Sequence, residues 1–149
     1  MCKLHAPWGD ASGFTLIELM IVVSVMGLLA AIAVPNFIKF SDNAREARVK
    51  STCHTVQLAA ENFATQNDGV YPLNLLSVSN FGETMVDLLP GGVLMENAWT
   101  EVRSEPRDGA PAQAGEVGFV SIVNGGIITG YSVDGYGKSA IVLTVKNGV

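Results

Sequence analysis

The sequence predicts an α+β protein: one long N-terminal helix, membrane-spanning in its first half, packed in its second half against a small antiparallel β-meander. Three observations carry this expectation. A mostly apolar run begins at Phe14 and ends at Val34, and about 20 such residues are enough to cross a bilayer as a helix. Beyond Pro35 an apolar stripe of helical spacing continues to about Gln66. The last third carries three strand-like segments, residues 117–123, 127–133 and 139–145, separated by Asn124-Gly125-Gly126 and Asp134-Gly135-Tyr136-Gly137, both good turn signals.

The chain has 149 residues, which suits one modest domain and an anchor. Apolar residues make up 48% of it, and much of the excess sits in the first run. The formal net charge of −5 argues against nucleic acid as a partner, because phosphate binding needs clustered Lys and Arg; solubility is the plainer reading. The apolar run holds one carboxylate, Glu18, in its first turns. A charge in hydrocarbon costs at least ~2.5 kcal/mol on insertion scales, so it needs a partner or a task.

Gly13-Phe14-Thr15-Leu16-Ile17-Glu18-Leu19-Met20-Ile21-Val22-Val23 resembles the processing and methylation site of type IV prepilins and type II secretion pseudopilins. The resemblance implies that residues 1–13 are a leader cut off between Gly13 and Phe14 by a prepilin peptidase on the cytoplasmic face. It also implies N-methylation of Phe14, which keeps the amine positively charged. An ordinary secretory signal is cut after its apolar segment; here the cut precedes it, and the helix stays. Residues 14–35 would be the transmembrane and filament-core half of the helix. Residues 36–149 would form a periplasmic, pilin-like head comprising the rest of the helix (36–67), a variable loop (70–116) and a three-stranded sheet (117–146). The basic flanks oppose this orientation. Lys39, Arg45, Arg48 and Lys50 follow the span, whereas Lys3 stands alone in the leader, and a simple count would put the C-terminal side in the cytoplasm. The processing motif is given the greater weight.

Within the resemblance, Glu18 pairs with the Phe14 amine of a neighbouring subunit and sets the axial register of the filament; its bland reading is an acid that snorkels to the interface. Pro35 removes a helical hydrogen bond and clashes with the preceding turn, so a kink or local melting is expected there. The implied function is a structural subunit, processed, held in the inner membrane and polymerised into a type IV pilus-like or type II secretion pseudopilus filament. The implied partners are further copies of the chain, the peptidase-methyltransferase, an assembly ATPase, a platform protein and a secretin. The filament would lie in the periplasm or at the cell surface. The rival is a membrane-anchored periplasmic enzyme or binding module with an uncleaved signal-anchor.

Val49, Cys53, Val56, Ala60 and Phe63 form the stripe of the second helical half, suited to packing on a sheet of the same chain. Asn67-Asp68-Gly69 supplies a helix stop and Pro72 prevents resumption. Residues 68–72 also resemble the helix exit of pilins and pseudopilins. A helix from Phe14 to about Gln66 is roughly 80 Å long, too long for a compact domain of this size, and must project. Residues 83–89 read as a short helix before Pro90-Gly91-Gly92. Residues 103–115, with two acids, two arginines and two prolines, read as a surface loop.

No catalytic constellation is evident, so no enzyme activity is expected. The cysteines are Cys2 and Cys53. With the leader removed Cys53 stands alone, and the C-terminal disulfide of many type IV pilins cannot form; Cys53 reads as a small core residue. His54 adjoins Cys53 on the helix, where neighbours point apart, so a dyad is not expected. No cofactor is expected except calcium, which some major pseudopilins bind. The candidate oxygens are Glu96, Asp108 and Asp134, together with Asn97, Glu101 and Glu116, and they lack EF-hand spacing. The aromatic rings of Phe14, Phe37, Phe40 and Phe63 read as packing between stems.

Overall fold

The computed structural model describes residues 13–148; most of the leader lies outside the described residues. A helix, α1 (Leu16–Gln66), is followed by a short 3-10 turn (Pro90–Gly92) and six strands: β1 (Met95–Glu96), β2 (Arg103–Glu105), β3 (Arg107–Asp108), β4 (Val117–Asn124), β5 (Ile127–Tyr136) and β6 (Ile141–Gly148). The chain divides into two compact units, the first ending at Lys39 and the second starting at Phe40.

In the first unit α1 starts because Thr15 caps it. The Thr15 hydroxyl accepts from the Glu18 amide at 3.2 Å and its carbonyl accepts from the Leu19 amide at 3.2 Å, satisfying donors that a helix start leaves unpaired. The helix then runs through Pro35 without a break in its helical residues. Local melting at Pro35 is therefore not the form seen here. Proline removes a single bond of the ladder, and the uninterrupted helix-forming residues on either side hold the turn.

In the second unit the expected stripe is the core. Val49, Cys53, Val56, Ala60 and Phe63 are all buried, joined from the sheet by Val117, Phe119, Tyr131 and Val133 and from the connecting segment by Leu75, Met85 and Leu89. Burying side chains of this size contributes about 1.5–3 kcal/mol each for the larger ones. The helix stops where the sequence says. Gly69 lies at φ +85° and its amide bonds back to the Ala64 carbonyl at 2.8 Å, a left-handed cap that glycine adopts without strain.

β4, β5 and β6 form the expected antiparallel meander, with Phe119 opposite Val133 and Val133 opposite Val145. Gly125 and Gly126, at φ +60° and +85°, make the first tight turn. Three expectations need correction. β3 adds a fourth strand, parallel to β4, so the sheet is mixed and has the order β3-β4-β5-β6. Residues 103–115 are accordingly more than a surface loop: they hold β2 and β3, and Glu105 is fully buried. Residues 83–89 hold no helix: Thr84 makes an isolated antiparallel bridge with Val78, and residues 85–88 are a turn closed by the Thr84 amide and hydroxyl donating to the Asp87 carboxylate. One turn cannot nucleate a helix just ahead of Pro90.

The second hairpin turn also moves. β5 runs on to Tyr136, and the reversal is closed by the Gly137 amide donating to the Ala140 carbonyl at 2.7 Å. Gly135 serves a different purpose from turning. A Cβ there would lie 2.6 Å from Cys53 Sγ and 2.7 Å from Val49 Cγ1, so glycine is what lets the sheet approach α1.

Candidate functional site

The first unit holds the residues singled out for processing and assembly. Gly13 and Phe14 precede α1 and are exposed, Phe14 by 77%. A Cβ added at Gly13 meets nothing within 4 Å, so the chain's own packing does not require glycine there. Glu18 follows in the first turn of α1. Its carboxylate enters no hydrogen bond or ion pair among the described residues, and only its amide is engaged, by Thr15. Thr15 itself is the functional residue that sequence reading missed. Thr15-x-x-Glu18 has the spacing of a capping box and was legible as one.

Between Leu16 and Val34 every residue is exposed, and none of the 18-residue window apolar enough to cross a membrane is buried. The one hydroxyl in its middle is internally satisfied: Ser24 Oγ donates to the Met20 carbonyl at 2.8 Å. That arrangement suits hydrocarbon surroundings, where unpaired polar groups are heavily penalised. An apolar surface of this extent calls for lipid or other protein against it.

In the second unit the calcium candidates do not converge on one another. Glu96 faces Arg48 at 3.0 Å and Arg103 at 3.7 Å. Asp108 accepts from the Leu75 amide at 2.9 Å, and Asp134 accepts from Ser132 and Thr144 hydroxyls. Asn97 Oδ1 accepts from the amides of Trp99 and Thr100, and Glu101 is exposed. Among the described residues no three His, Cys, Asp or Glu side chains converge on a metal position.

What the fold does bring together is a carboxylate pair at the start of the sheet. Buried Glu105 accepts from the Val117 amide at 2.8 Å, Ser104 Oγ at 2.9 Å and Asn97 Nδ2 at 3.1 Å. Glu116 accepts from the amides of Ala112 and Gln113 at 2.7 and 2.9 Å. Arg107 binds Glu116 at 2.8 Å and lies 3.9 Å from Glu105. Burial pushes the Glu116 carboxyl up, but the amides of Ala112 and Gln113 and the Arg107 guanidinium outweigh it and hold it below its ordinary value.

A second network ties α1 to the sheet. Tyr131 donates to Glu61 at 2.6 Å, Tyr71 leans on the same carboxylate at 3.4 Å, and Asn147 donates to both Glu61 and Tyr71. Burial and then the Glu61 carboxylate keep the Tyr131 hydroxyl protonated well beyond its usual range. Cys53 is buried, and desolvation, reinforced by Asp134, pushes its thiol up to about 11. It is a core residue with no thiolate at neutral pH. His54 is exposed and meets Gln57 at 3.3 Å; it does not face Cys53 as a dyad.

Residues 9–34 match the family model of the prokaryotic N-terminal methylation motif. The chain is 48% identical over 56 residues to the type IV major pilin protein PilA of Myxococcus xanthus (strain DK1622), a match covering 38% of this chain and 26% of that protein. It is 45% identical over 60 residues to the type IV narrow pilus major component PilA5 of Thermus thermophilus, covering 40% of this chain and 52% of the relative. To the type II secretion system core protein G of Klebsiella michiganensis it is 36% identical over 55 residues, 37% of this chain and 39% of the relative. The chain thus spans about half the length, or less, of the curated relatives it matches. No solved structure matches it.

Proposed function

We propose that this chain, which carries a prepilin-type N-terminal methylation motif, is a structural filament subunit. It is cut between Gly13 and Phe14, methylated at Phe14 and held in the inner membrane by residues 14–35, with residues 36–149 in the periplasm. From there it is polymerised into a pilus-like or secretion-pseudopilus filament. The single observation that carries this reading is the first half of α1: an apolar helix with no residue of its membrane-length window buried, directly after the motif. The pilin and pseudopilin relatives support it, and they are structural subunits.

The chemistry follows from what the first unit lacks. Cleavage at Gly13 frees a Phe14 amine two residues before the helix proper, and methylation leaves it cationic. Glu18 supplies an anion that its own chain leaves without a side-chain partner among the described residues. Between stems, at low dielectric, amine and carboxylate attract strongly, and either one alone is heavily penalised. An incoming copy is therefore held where its Phe14 reaches a Glu18 already in place. Such contacts are heterologous and open, so they propagate into a helical filament instead of closing a ring. Loosening at Pro35 during assembly belongs to the same proposal. The machinery implied is a prepilin peptidase-methyltransferase, an assembly ATPase, a platform protein and a secretin.

Mass measurement of the protein recovered from membranes tests the reading. Loss of residues 1–13 with one methyl group on Phe14 is expected. An intact N-terminus starting at Met1 would overturn it in favour of a membrane-anchored module with an uncleaved anchor.

A further inference from the structure

The second unit carries a cleft of about 350 Å³ that neither the fold nor the filament reading uses. Its helical wall presents Arg48, Ser51 and Thr55 from α1, and the opposite wall presents Met95, Glu96 and Arg103. Two guanidinium groups converge there on one carboxylate. Arg48 Nη2 donates to Glu96 Oε2 at 3.0 Å, whereas Arg103 Nε stands 3.7 Å from Glu96 Oε1, beyond hydrogen-bond reach. Each guanidinium carries five donors in a planar fork, and one bond to Glu96 leaves most of them unspent. Positive charge thus exceeds negative charge at this point of a chain whose overall charge is −5.

The rest of the cleft narrows the ligand. The Thr55 hydroxyl donates to the Ser51 carbonyl at 3.0 Å, so its proton is committed and not offered to an anion. Met95 adds a flexible apolar wall suited to a methylene stem. A planar, bidentate anion matches the guanidinium forks better than a point charge does.

We propose that this cleft binds a carboxylate borne on a short apolar stem, held by Arg48 and Arg103 in competition with Glu96. The carboxylate comes either from a free organic acid or from an acidic side chain of a second copy; the latter source alone rests on the filament reading. Glu96 is then a competitor, since it is hydrogen-bonded to Arg48 and lies near Arg103 when the ligand is absent and yields to the ligand when it arrives.

The test titrates glutarate into the full-length, ¹⁵N-labelled protein in detergent micelles at constant ionic strength and follows the arginine Nε–H resonances. A free-acid site gives saturable shifts at Arg48 and Arg103. Arg103→Gln should weaken the binding and Glu96→Gln should tighten it, each about two- to fivefold, the range that an exposed ion pair supports. If glutarate does not saturate, a neighbouring copy is the source when Arg48→Gln/Arg103→Gln filaments fall apart at lower salt than wild type while Glu96→Gln filaments withstand more. No saturable shift together with unchanged salt tolerance in both variants overturns the proposal, as does weaker binding in Glu96→Gln. The wild-type titration and the conservative Glu96→Gln variant keep the test informative if the double arginine variant fails to fold.

Discussion

The two halves of α1 solve opposite problems with one element. From Leu16 to Lys39 every side chain is exposed, and the carboxylate of Glu18 has no partner among the described residues. From Phe40 onward the same helix buries Val49, Cys53, Val56 and Phe63, and Glu61 is met by Tyr131, Tyr71 and Asn147. The second half finds its solvent and its hydrogen-bond partners within the chain. The first half has neither within the described residues; on the proposed reading it finds them in lipid before assembly and in neighbouring stems after it. A helix segment with every side chain exposed and most of them apolar is thus informative about function, because such a surface calls for a partner that a single copy does not supply.

The sharpest way to break this contrast is Glu18→Ala. The Thr15 cap uses the Glu18 backbone amide and survives the substitution, so the fold and membrane insertion should be unaffected. If Glu18 pairs with a neighbouring Phe14 amine as proposed, filament yield should collapse, because each contact would leave one methylated amine unpaired at low dielectric, at roughly 3–5 kcal/mol per contact. Electron microscopy of sheared filaments and the thermal melting of the detergent-solubilised chain separate the two effects. Normal filament yield would sink the pairing.

Gly135→Ala addresses the other half. The new Cβ would meet Cys53 Sγ at 2.6 Å and Val49 Cγ1 at 2.7 Å, both within a filled core where α1 and β5 touch. Overpacking of this kind destabilises by about 1–3 kcal/mol. Thermal or denaturant melting should show that loss, whereas cleavage after Gly13 should proceed unchanged. Cys53→Ala in the same background should return part of the stability by vacating the space that the methyl group needs.

The legibility of the sequence follows the same division. The span, its carboxylate, the stripe from Val49 to Phe63 and the three long strands were all readable, because periodic apolar patterns over many residues report directly which face is buried. Residues 83–116 were not. Their order rests on single side chains answering distant backbone groups: Asp108 on the Leu75 amide, Glu105 on the Val117 amide, and Asn97 bridging Glu105 and the Ala114 carbonyl. Such pairings have no period, and a stretch such as 103–115, with two acids, two arginines and two prolines, reads as solvated loop until its partners are known. Gly135 misled for a related reason. Glycine beside Asp134 and Gly137 looks like a turn, whereas close approach to a helix one sheet-width away leaves no mark in the local sequence.

The smallest effect expected is also the one that isolates this aperiodic region. Glu116 is held below its ordinary value of 4.5: burial opposes the charge, but the Ala112 and Gln113 amides and Arg107 more than offset it. A carboxyl whose folded pKa is depressed contributes stability that is fully present above the unfolded value and is lost as pH falls through the folded one. The second unit should therefore melt at progressively lower temperature as the pH drops below about 4.5, with Glu116 one contributor among several acids. Glu116→Gln keeps the shape and removes the titration. It should lower the melting temperature modestly at neutral pH, where the wild-type carboxylate is charged and bonded, and the gap to wild type should shrink on acidification. A gap that stays constant from pH 7 to pH 3 would show that the Arg107–Glu116 contact and its two amides do not depend on the charge. The proposal assigns filament register to Glu18 in the first unit, so the same substitution should leave it untouched, and the comparison between the halves would then rest on two independent carboxylates, one answered within the chain and one proposed to be answered by another copy.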